Sequence, residues 1–409
     1  MYEMFKASTL KTNMLNADML TTRIDMFTKR IEAALDERAS ANLSRRLRPV
    51  TTTSAAQLQY AGREMVNFSS NDYLGLAQDF ELAKAWQQGI ERYGCGSGAS
   101  PMVTGFSSAH QKLEEGLCDW QGYDRAILFS SGFSANQALL FTLLKKGDYL
   151  LQDKLNHASL MEAGSLSLAT MKRFKHNDVA HLSALLPNGN PNLVVTEGVF
   201  SMDGDQAPLA KIASVLPSHS WLAVDDAHGV GVLGQQGRGS CHAQGVKPEL
   251  LVVTFGKAFG LSGAAILCNA QAGDFFTQFA RHHVYSTAMP PSQAHALSHA
   301  LKMIQQQEWR RDKLLELQSA YHDTLRDVSG YVRTNTPIKP FLLGSAEKAI
   351  ELEASLREQG FWASAIRPPT VPAGQARLRI TLTASHTVEQ VIAMGRVIRR
   401  ALETNYDVR

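Results

Sequence analysis

Between about residues 110 and 270, two hydrophobic periods alternate along the chain. Arg125 to Phe129, Tyr149 to Gln152, Leu193 to Thr196, Leu222 to Val224 and Leu250 to Thr254 are short runs rich in apolar and β-branched residues. His110 to Trp120 and Ala135 to Leu144 repeat apolar residues at helical spacing. Apolar runs without polar alternation predict strands buried on both faces, and their interleaving with helices predicts a mostly parallel sheet covered by helices. Ahead of this stretch, Ile24, Phe27, Ile31 and Leu35 predict an amphipathic helix that runs into Arg45-Arg46-Leu47-Arg48 and stops at Pro49. Val66 to Ser69 predicts a strand, and Asn71 to Gly75 is turn-rich. Leu297, Leu301 and Ile304, then Leu314, Leu317, Tyr321 and Leu325, carry helical spacing through a long connector. Strand-like segments at Phe341 to Leu343 and Leu378 to Leu382 then mix with helices.

The expected organisation is α/β. Residues 1–25 form a leader, which is either disordered or an over-extended start. A helix and strand segment spans 26–70, a large domain 71–295, and a connecting helix with a smaller α/β domain 296–409.

Composition narrows the class. Hydrophobic residues make up 44% and charged residues 19%, a globular balance. Lys plus Arg is 41 against 38 Asp plus Glu, and a net charge of +3 offers no case for nucleic acid. Cys95, Cys118, Cys241 and Cys268 are scattered, without paired metal-ligand spacing, and fit a reducing cytoplasm better than a disulfide framework. Apolar runs such as Leu250 to Val253 and Ala264 to Cys268 fall well short of the roughly 20 residues of a membrane helix. No basic segment leads into an apolar core at the N-terminus, so neither a secretory signal nor a membrane partner is expected.

Ligands of open parallel sheets bind beyond the carboxyl ends of the strands, and four such ends carry polar residues. Ser130-Ser131-Gly132-Phe133-Ser134-Ala135-Asn136 leads from a strand into a helix, where free N–H groups and the helix dipole favour a phosphate; an ordinary turn explains it equally well. Val224-Asp225-Asp226-Ala227-His228-Gly229 puts two acids where burial is costly without partners, an arrangement that suits a heterocyclic cofactor nitrogen; an Asp capping a turn beside a satisfied histidine is the alternative. Lys257, in Val253-Thr254-Phe255-Gly256-Lys257, directly follows a buried strand, and desolvation would lower its pKa as a Schiff-base amine requires. A surface loop lysine is the bland alternative, weakened by Asp225 on the neighbouring strand. The fourth end, Thr196 to Asp205, offers Ser201 and several carboxylates, and by itself resembles a calcium loop as well as anything else.

Gly229-Val230-Gly231-Val232-Leu233-Gly234 matches the dinucleotide fingerprint G-x-G-x-x-G. It continues into Gln235-Gln236-Gly237-Arg238-Gly239, which lacks the apolar periodicity of the helix that would hold a pyrophosphate. Zinc-type spacing is absent, and no metal is expected.

Taken together, Thr254-Phe255-Gly256-Lys257, Asp225-Asp226-Ala227-His228-Gly229, Glu197-Gly198-Val199-Phe200-Ser201-Met202-Asp203-Gly204 and Asn156-His157-Ala158-Ser159 resemble the α-oxoamine synthases. These are pyridoxal-phosphate enzymes of the aspartate-aminotransferase fold (fold type I) that condense an amino acid with an acyl thioester and release carbon dioxide. The resemblance runs from about residue 30 to the C-terminus. It implies pyridoxal 5'-phosphate as cofactor and a homodimer with the active site at the interface. Ile366 to Gly374 and Leu378 to Ala384 resemble the branch that joins L-alanine to a pimeloyl thioester, on coenzyme A or an acyl carrier protein, rather than sister branches acting on glycine.

The same resemblance implies the site. Lys257 would form the Schiff base and act as base at Cα, with Asp225 at the pyridinium nitrogen. His228 and Ser201 would bond around the phenolic oxygen, while His157 stacks on the ring. Gly132 and Phe133 would supply backbone contacts, and Thr254 would bind the phosphate. Arg367 would grip the amino-acid carboxylate, and Arg45 and Thr370 would contact substrate. For Arg45 a solvated basic helix end remains the alternative, because Arg46 is adjacent. Ser286 and Thr287 would reach the neighbouring subunit's phosphate.

Overall fold

The computed structural model describes residues 25–41, 43–187 and 189–404. The expected leader lies outside them except for its last residue, as does Ile24. Two units are distinguished, up to Pro49 and from Val50 onward, and each is described by itself. In the first, residues 25–40 are helical, and the Met26, Phe27, Ile31 and Leu35 side chains are exposed. Arg45 lies in the irregular stretch that follows this helix.

The second unit opens with β1 (Thr51–Ser54), β2 (Gln57–Tyr60) and β3 (Arg63–Asn67). The strand expected at 66–69 is this third one, displaced toward the N-terminus. Next come β4 (Arg125–Phe129), β5 (Tyr149–Asp153), β6 (Thr170–Phe174), β7 (Asn192–Glu197), β8 (Ser220–Asp225), β9 (Leu250–Thr254) and β10 (Ala264–Cys268). The last are β11 (Ile338–Gly344), β12 (Phe361–Trp362), β13 (Ser364–Ile366) and β14 (Ala376–Thr381).

β4 to β10 form a seven-stranded sheet in the order β4-β10-β9-β8-β7-β5-β6, in which β10 alone runs against its neighbours. Alternate residues of its strands feed two cores. On β9, Leu251 and Val253 enter the core shared with helices Ser108–Gln121 and Pro291–Gln306. Leu250 and Val252 enter the core shared with helices Gly132–Leu143 and Ala270–Phe279. Each such buried aliphatic side chain contributes about 1.5–3 kcal/mol, which is why the apolar runs carry no polar alternation. A smaller antiparallel sheet, β11-β14-β13, is formed by the C-terminal residues. β3 pairs in parallel with β12, so the strands after Val50 join the C-terminal region rather than the large sheet.

Parallel register brings carboxyl ends together: Glu197 stands opposite Asp225, and Asp225 opposite Val252. Because β10 is antiparallel, β9 returns to it through a tight loop rather than a helical crossover, and Lys257 sits in that loop. The loop is closed by Phe255 N–H to Gly263 O, Leu261 N–H to Phe255 O and Gly260 N–H to Lys257 O, each 2.9 Å. Gly260 has φ +69°, and a Cβ there would stand 2.6 Å from the Leu76 carbonyl carbon. The Gly229 to Gly234 segment forms turns leading into a 3-10 turn at Gln235–Gly237, not the helix of a dinucleotide site.

Helix Phe80–Tyr93 crosses helix Pro291–Gln306 at Gly89, where an added Cβ would lie 2.7 Å from the Ser292 carbonyl oxygen. Overpacking of this kind costs about 1–3 kcal/mol. Gly89→Ala is therefore expected to lower the thermal unfolding midpoint by several degrees, and an unchanged midpoint would show that the crossing yields freely.

Candidate active site

The carboxyl ends of β4, β7, β8 and β9 converge through hydrogen bonds. Helix Gly132–Leu143 starts at its cap Ser131, whose hydroxyl accepts from Ser134 N–H at 3.1 Å. The Gly132 and Phe133 amides precede the first intrahelical bonds, so they are available to an external acceptor. One turn into the helix, Asn136 Nδ2 donates to Asp225 Oδ2 at 2.7 Å and to Ser159 Oγ at 3.0 Å. Asp225 Oδ1 accepts from Ala227 N–H at 3.0 Å. The carboxylate at the end of β8 is thus buried, oriented and held as an acceptor. Its neighbour Asp226 turns the other way and accepts from the Ser240 hydroxyl (2.6 Å) and amide (2.8 Å). Burial pushes the Asp226 carboxyl up to about 7, although the Ser240 bonds work against this.

Lys257 is partly buried, and desolvation draws its ammonium below the usual lysine range. Asp225 and Glu197 oppose that shift, and the Arg379 charge adds to it. The fully buried Glu197 carboxyl is pushed well up, by desolvation first and by Asp225 second. His157 caps helix Ala158–Leu166 through Ser159 N–H and meets Phe133 edge-on at 6.5 Å between ring centroids. Burial holds it toward the neutral form, helped by the Lys257 charge and opposed by Asp225. His228 is more strongly neutral, by desolvation and then by the charges of Lys257 and Arg379. Its Nδ1 lies 2.5 Å from the buried Tyr73 hydroxyl.

Two observations bear on a phosphate group. Thr254 Oγ1 is buried and has no hydrogen-bond partner among the described residues. Gly132 faces the same side chain, and a Cβ there would lie 2.6 Å from Thr254 Cγ2. A buried, unpaired hydroxyl beside a helix N-terminus fits a phosphate, and the Asp225 carboxylate fits a protonated ring nitrogen. The residues present therefore suit pyridoxal phosphate.

The structure brings Lys257, Asp225, His157, His228, Thr254, Gly132 and Phe133 together. Ser201 joins them through Arg379, whose Nε donates to Ser201 O at 2.6 Å. Arg367 and Thr370 lie on the turn after β13, joined by Thr370 N–H to Arg367 O at 3.0 Å, beside the cis Pro368-Pro369 bond. Arg45 belongs to the N-terminal unit. In the loop that resembled a calcium site, the two aspartates are already engaged: Asp203 pairs with Arg377 at 2.5 Å and Asp205 meets His176 at 2.7 Å.

Asn136, Glu197, Tyr73 and Arg379 were not among the expected site residues. Each sits inside or beside a string that drew notice, but an amide, a tyrosine or one arginine of an arginine-rich strand has no signature until its partner is known.

The profile of the family described as aminotransferase class I and II matches residues 63–396. The 8-amino-7-oxononanoate synthase of Vibrio cholerae is 63% identical over 377 residues, covering 92% of this chain and 98% of that one. Among solved structures, an 8-amino-7-oxononanoate synthase from Francisella tularensis is 32% identical with a TM-score of 0.74, covering 84% of this chain and 99% of that one. A serine palmitoyltransferase variant from S. paucimobilis, solved with PLP and myriocin, is 28% identical with a TM-score of 0.84, covering 91% and 98%. The chain belongs to the class I and II aminotransferase family and, within it, to the 8-amino-7-oxononanoate synthases, pyridoxal-phosphate-dependent acyltransferases of biotin synthesis.

Gly132→Ala is expected to displace Thr254 and weaken binding of pyridoxal phosphate to the apoprotein about tenfold, equivalent to 1.4 kcal/mol. Fluorescence titration reads this directly, and an unchanged affinity would remove Gly132 from the phosphate site.

Proposed function

We propose that the protein condenses L-alanine with a pimeloyl thioester, releasing carbon dioxide and the thiol, to give 8-amino-7-oxononanoate. The observation that carries this reading is the desolvated Lys257 amine, set among Asp225, Glu197 and two neutral histidines at the end of a buried strand.

Bound pyridoxal phosphate supplies an aldehyde that takes up amines and a protonated ring that accepts the electron pair left at Cα. The protein's residues do the rest. Thr254 and the amides of Gly132 and Phe133 hold the phosphate. Asp225, fixed by Asn136 and Ala227, keeps the ring nitrogen protonated. If Tyr73 donates to His228 Nδ1, the His228 proton sits on Nε2, free to donate with Ser201 toward the phenolic oxygen. His157 would stack on the ring.

Arg367 grips the alanine carboxylate, for which the guanidinium fork is suited. Lys257 then removes the Cα proton, and desolvation favours the neutral amine this requires. The new bond forms between Cα and the thioester carbonyl carbon, and the carbon–sulfur bond breaks with departure of the thiol. The alanine carboxylate, now β to a ketone, leaves as carbon dioxide, and Lys257 returns a proton to Cα. Thr370 and Arg45 contact substrate, Arg45 toward the acyl chain or its carboxylate. The acyl carrier is coenzyme A or an acyl carrier protein. The working form is a cytoplasmic homodimer with Ser286 and Thr287 facing the partner's phosphate. Among the described residues no helix is long and apolar enough to cross a membrane.

Lys257→Ala is expected to abolish both turnover and borohydride trapping of the cofactor, read by peptide mass spectrometry. Trapping at another lysine with retained turnover would refute the assignment. Arg367→Lys is expected to raise the KM for L-alanine about tenfold or more, since losing a bidentate charged pair costs roughly 1.5–3 kcal/mol. An unchanged KM would move the carboxylate site elsewhere.

A further inference from the structure

The loop that carries Ser201 is tied to the sheet by a histidine that the chemistry above does not use. His176 follows β6, and both of its ring nitrogens face carboxylates. Nδ1 lies 2.9 Å from Asp153 Oδ1 and Nε2 lies 2.7 Å from Asp205 Oδ2. Asp153 ends β5 and is fully buried, while Asp205 closes the loop that leaves β7. A neutral imidazole has one donor and one acceptor, and a carboxylate only accepts. Two carboxylates on opposite sides therefore call for a ring protonated at both nitrogens.

Burial would lower the His176 pKa, but the bonds and charges of Asp153 and Asp205 more than reverse this and lift it to about 10. Asn177 strengthens the same bridge: its N–H donates to Asp153 Oδ2 at 2.9 Å and its Nδ2 to Asp205 Oδ2 at 2.9 Å. The His176 ring also meets Phe200 edge-on, with centroids 4.4 Å apart.

The far side of the loop is held by the small sheet. Arg377 pairs with Asp203, Arg379 Nε donates to Ser201 O, and Thr336 Oγ1 donates to Gly204 O at 2.7 Å. Within the loop, Phe200 N–H donates to Asp205 O (3.0 Å) and Gly204 N–H to Phe200 O (2.8 Å). Ser201 thus sits on a short turn anchored to the large sheet on one side and the small sheet on the other. Without the imidazolium, the carboxylates of Asp153 and Asp205 would face one another across its place.

We propose that His176 is a positioning residue for the cofactor pocket: bridging Asp153 and Asp205 as an imidazolium, it fixes the 198–205 loop and so places Ser201 at the cofactor's phenolic oxygen. This rests on the cofactor reading given above. It makes the ring's electronic state depend on a histidine that touches neither cofactor nor substrate.

The test uses His176→Gln, which cannot carry the charge, and Asp205→Asn, which keeps the shape of the bridge and removes one charge. Hydrogen exchange on the apoproteins is expected to show the Phe200 and Gly204 amides exchanging about tenfold faster in His176→Gln than in the unsubstituted protein, a local opening made easier by about 1.4 kcal/mol. In the loaded proteins the pH midpoint of the cofactor's visible absorption band is expected to shift, less in Asp205→Asn than in His176→Gln and in the same direction. Should His176→Gln fail to fold, Asp205→Asn decides alone. Unchanged exchange and an unchanged midpoint would overturn the proposal. Faster exchange with an unmoved midpoint would overturn it too, since the loop would then move without consequence at the ring. Borohydride trapping on the unsubstituted holoenzyme separates the two readings. If Lys257 is not labelled, the cofactor assignment fails, whereas exchange on the apoproteins still reports on the bridge.

Discussion

Holding an amine and carboxylates out of water at the carboxyl ends of the central strands of a mostly parallel sheet is the constraint on which the rest depends. A buried charge without a partner costs several kcal/mol, so it either finds one or changes protonation state. Here both outcomes occur within a few residues. Asp225 is fastened by Asn136 and the Ala227 amide, Glu197 is pushed toward its neutral form, and Lys257 is drawn down from the ordinary lysine range. The strands themselves have no alternative route, since parallel register puts Glu197 opposite Asp225 whatever else is chosen.

The antiparallel strand β10 turns those strand ends into a site. Between parallel neighbours a helical crossover would carry the chain away, but the return from β9 to β10 is a tight loop that keeps Lys257 at the strand ends. Its glycine at 260 is required by a close approach to Leu76. The small sheet completes the arrangement, because Arg377 and Arg379 reach from β14 to the Ser201 loop. The pocket is therefore shared by elements far apart in the chain, and neither sheet alone defines it.

Much of this was legible in the sequence because it depends on burial and local punctuation. β4, β9 and β10 fall on their apolar runs residue for residue, and the glycine-rich segment after His228 forms no helix, as its lack of periodicity required. β6 escaped notice because Thr170 to Phe174 is an edge strand with Lys172 and Arg173 along it, so its pattern is not that of the buried strands. The pairing of β3 with β12 was equally out of reach, since nothing local marks a two-residue strand roughly 300 residues away. Lys257, Asp225, His228 and Thr254 stood at strand ends, where chemistry is expected. Asn136, Tyr73 and Arg379 draw their roles from partners on other elements, and His176 was hidden because its meaning lies in two aspartates, one ending β5 and one on the loop after β7.

The central claim is that this site removes a proton from Cα of alanine, joins that carbon to an acyl group and discards the carboxylate. The most direct measurement follows isotope from L-alanine labelled at the carboxyl carbon, incubated with the loaded enzyme and a pimeloyl thioester. All of the label is predicted to leave as carbon dioxide, with none in the condensed product and none released without the thioester. Label retained in the product, or faster turnover with glycine in place of alanine, would contradict the account.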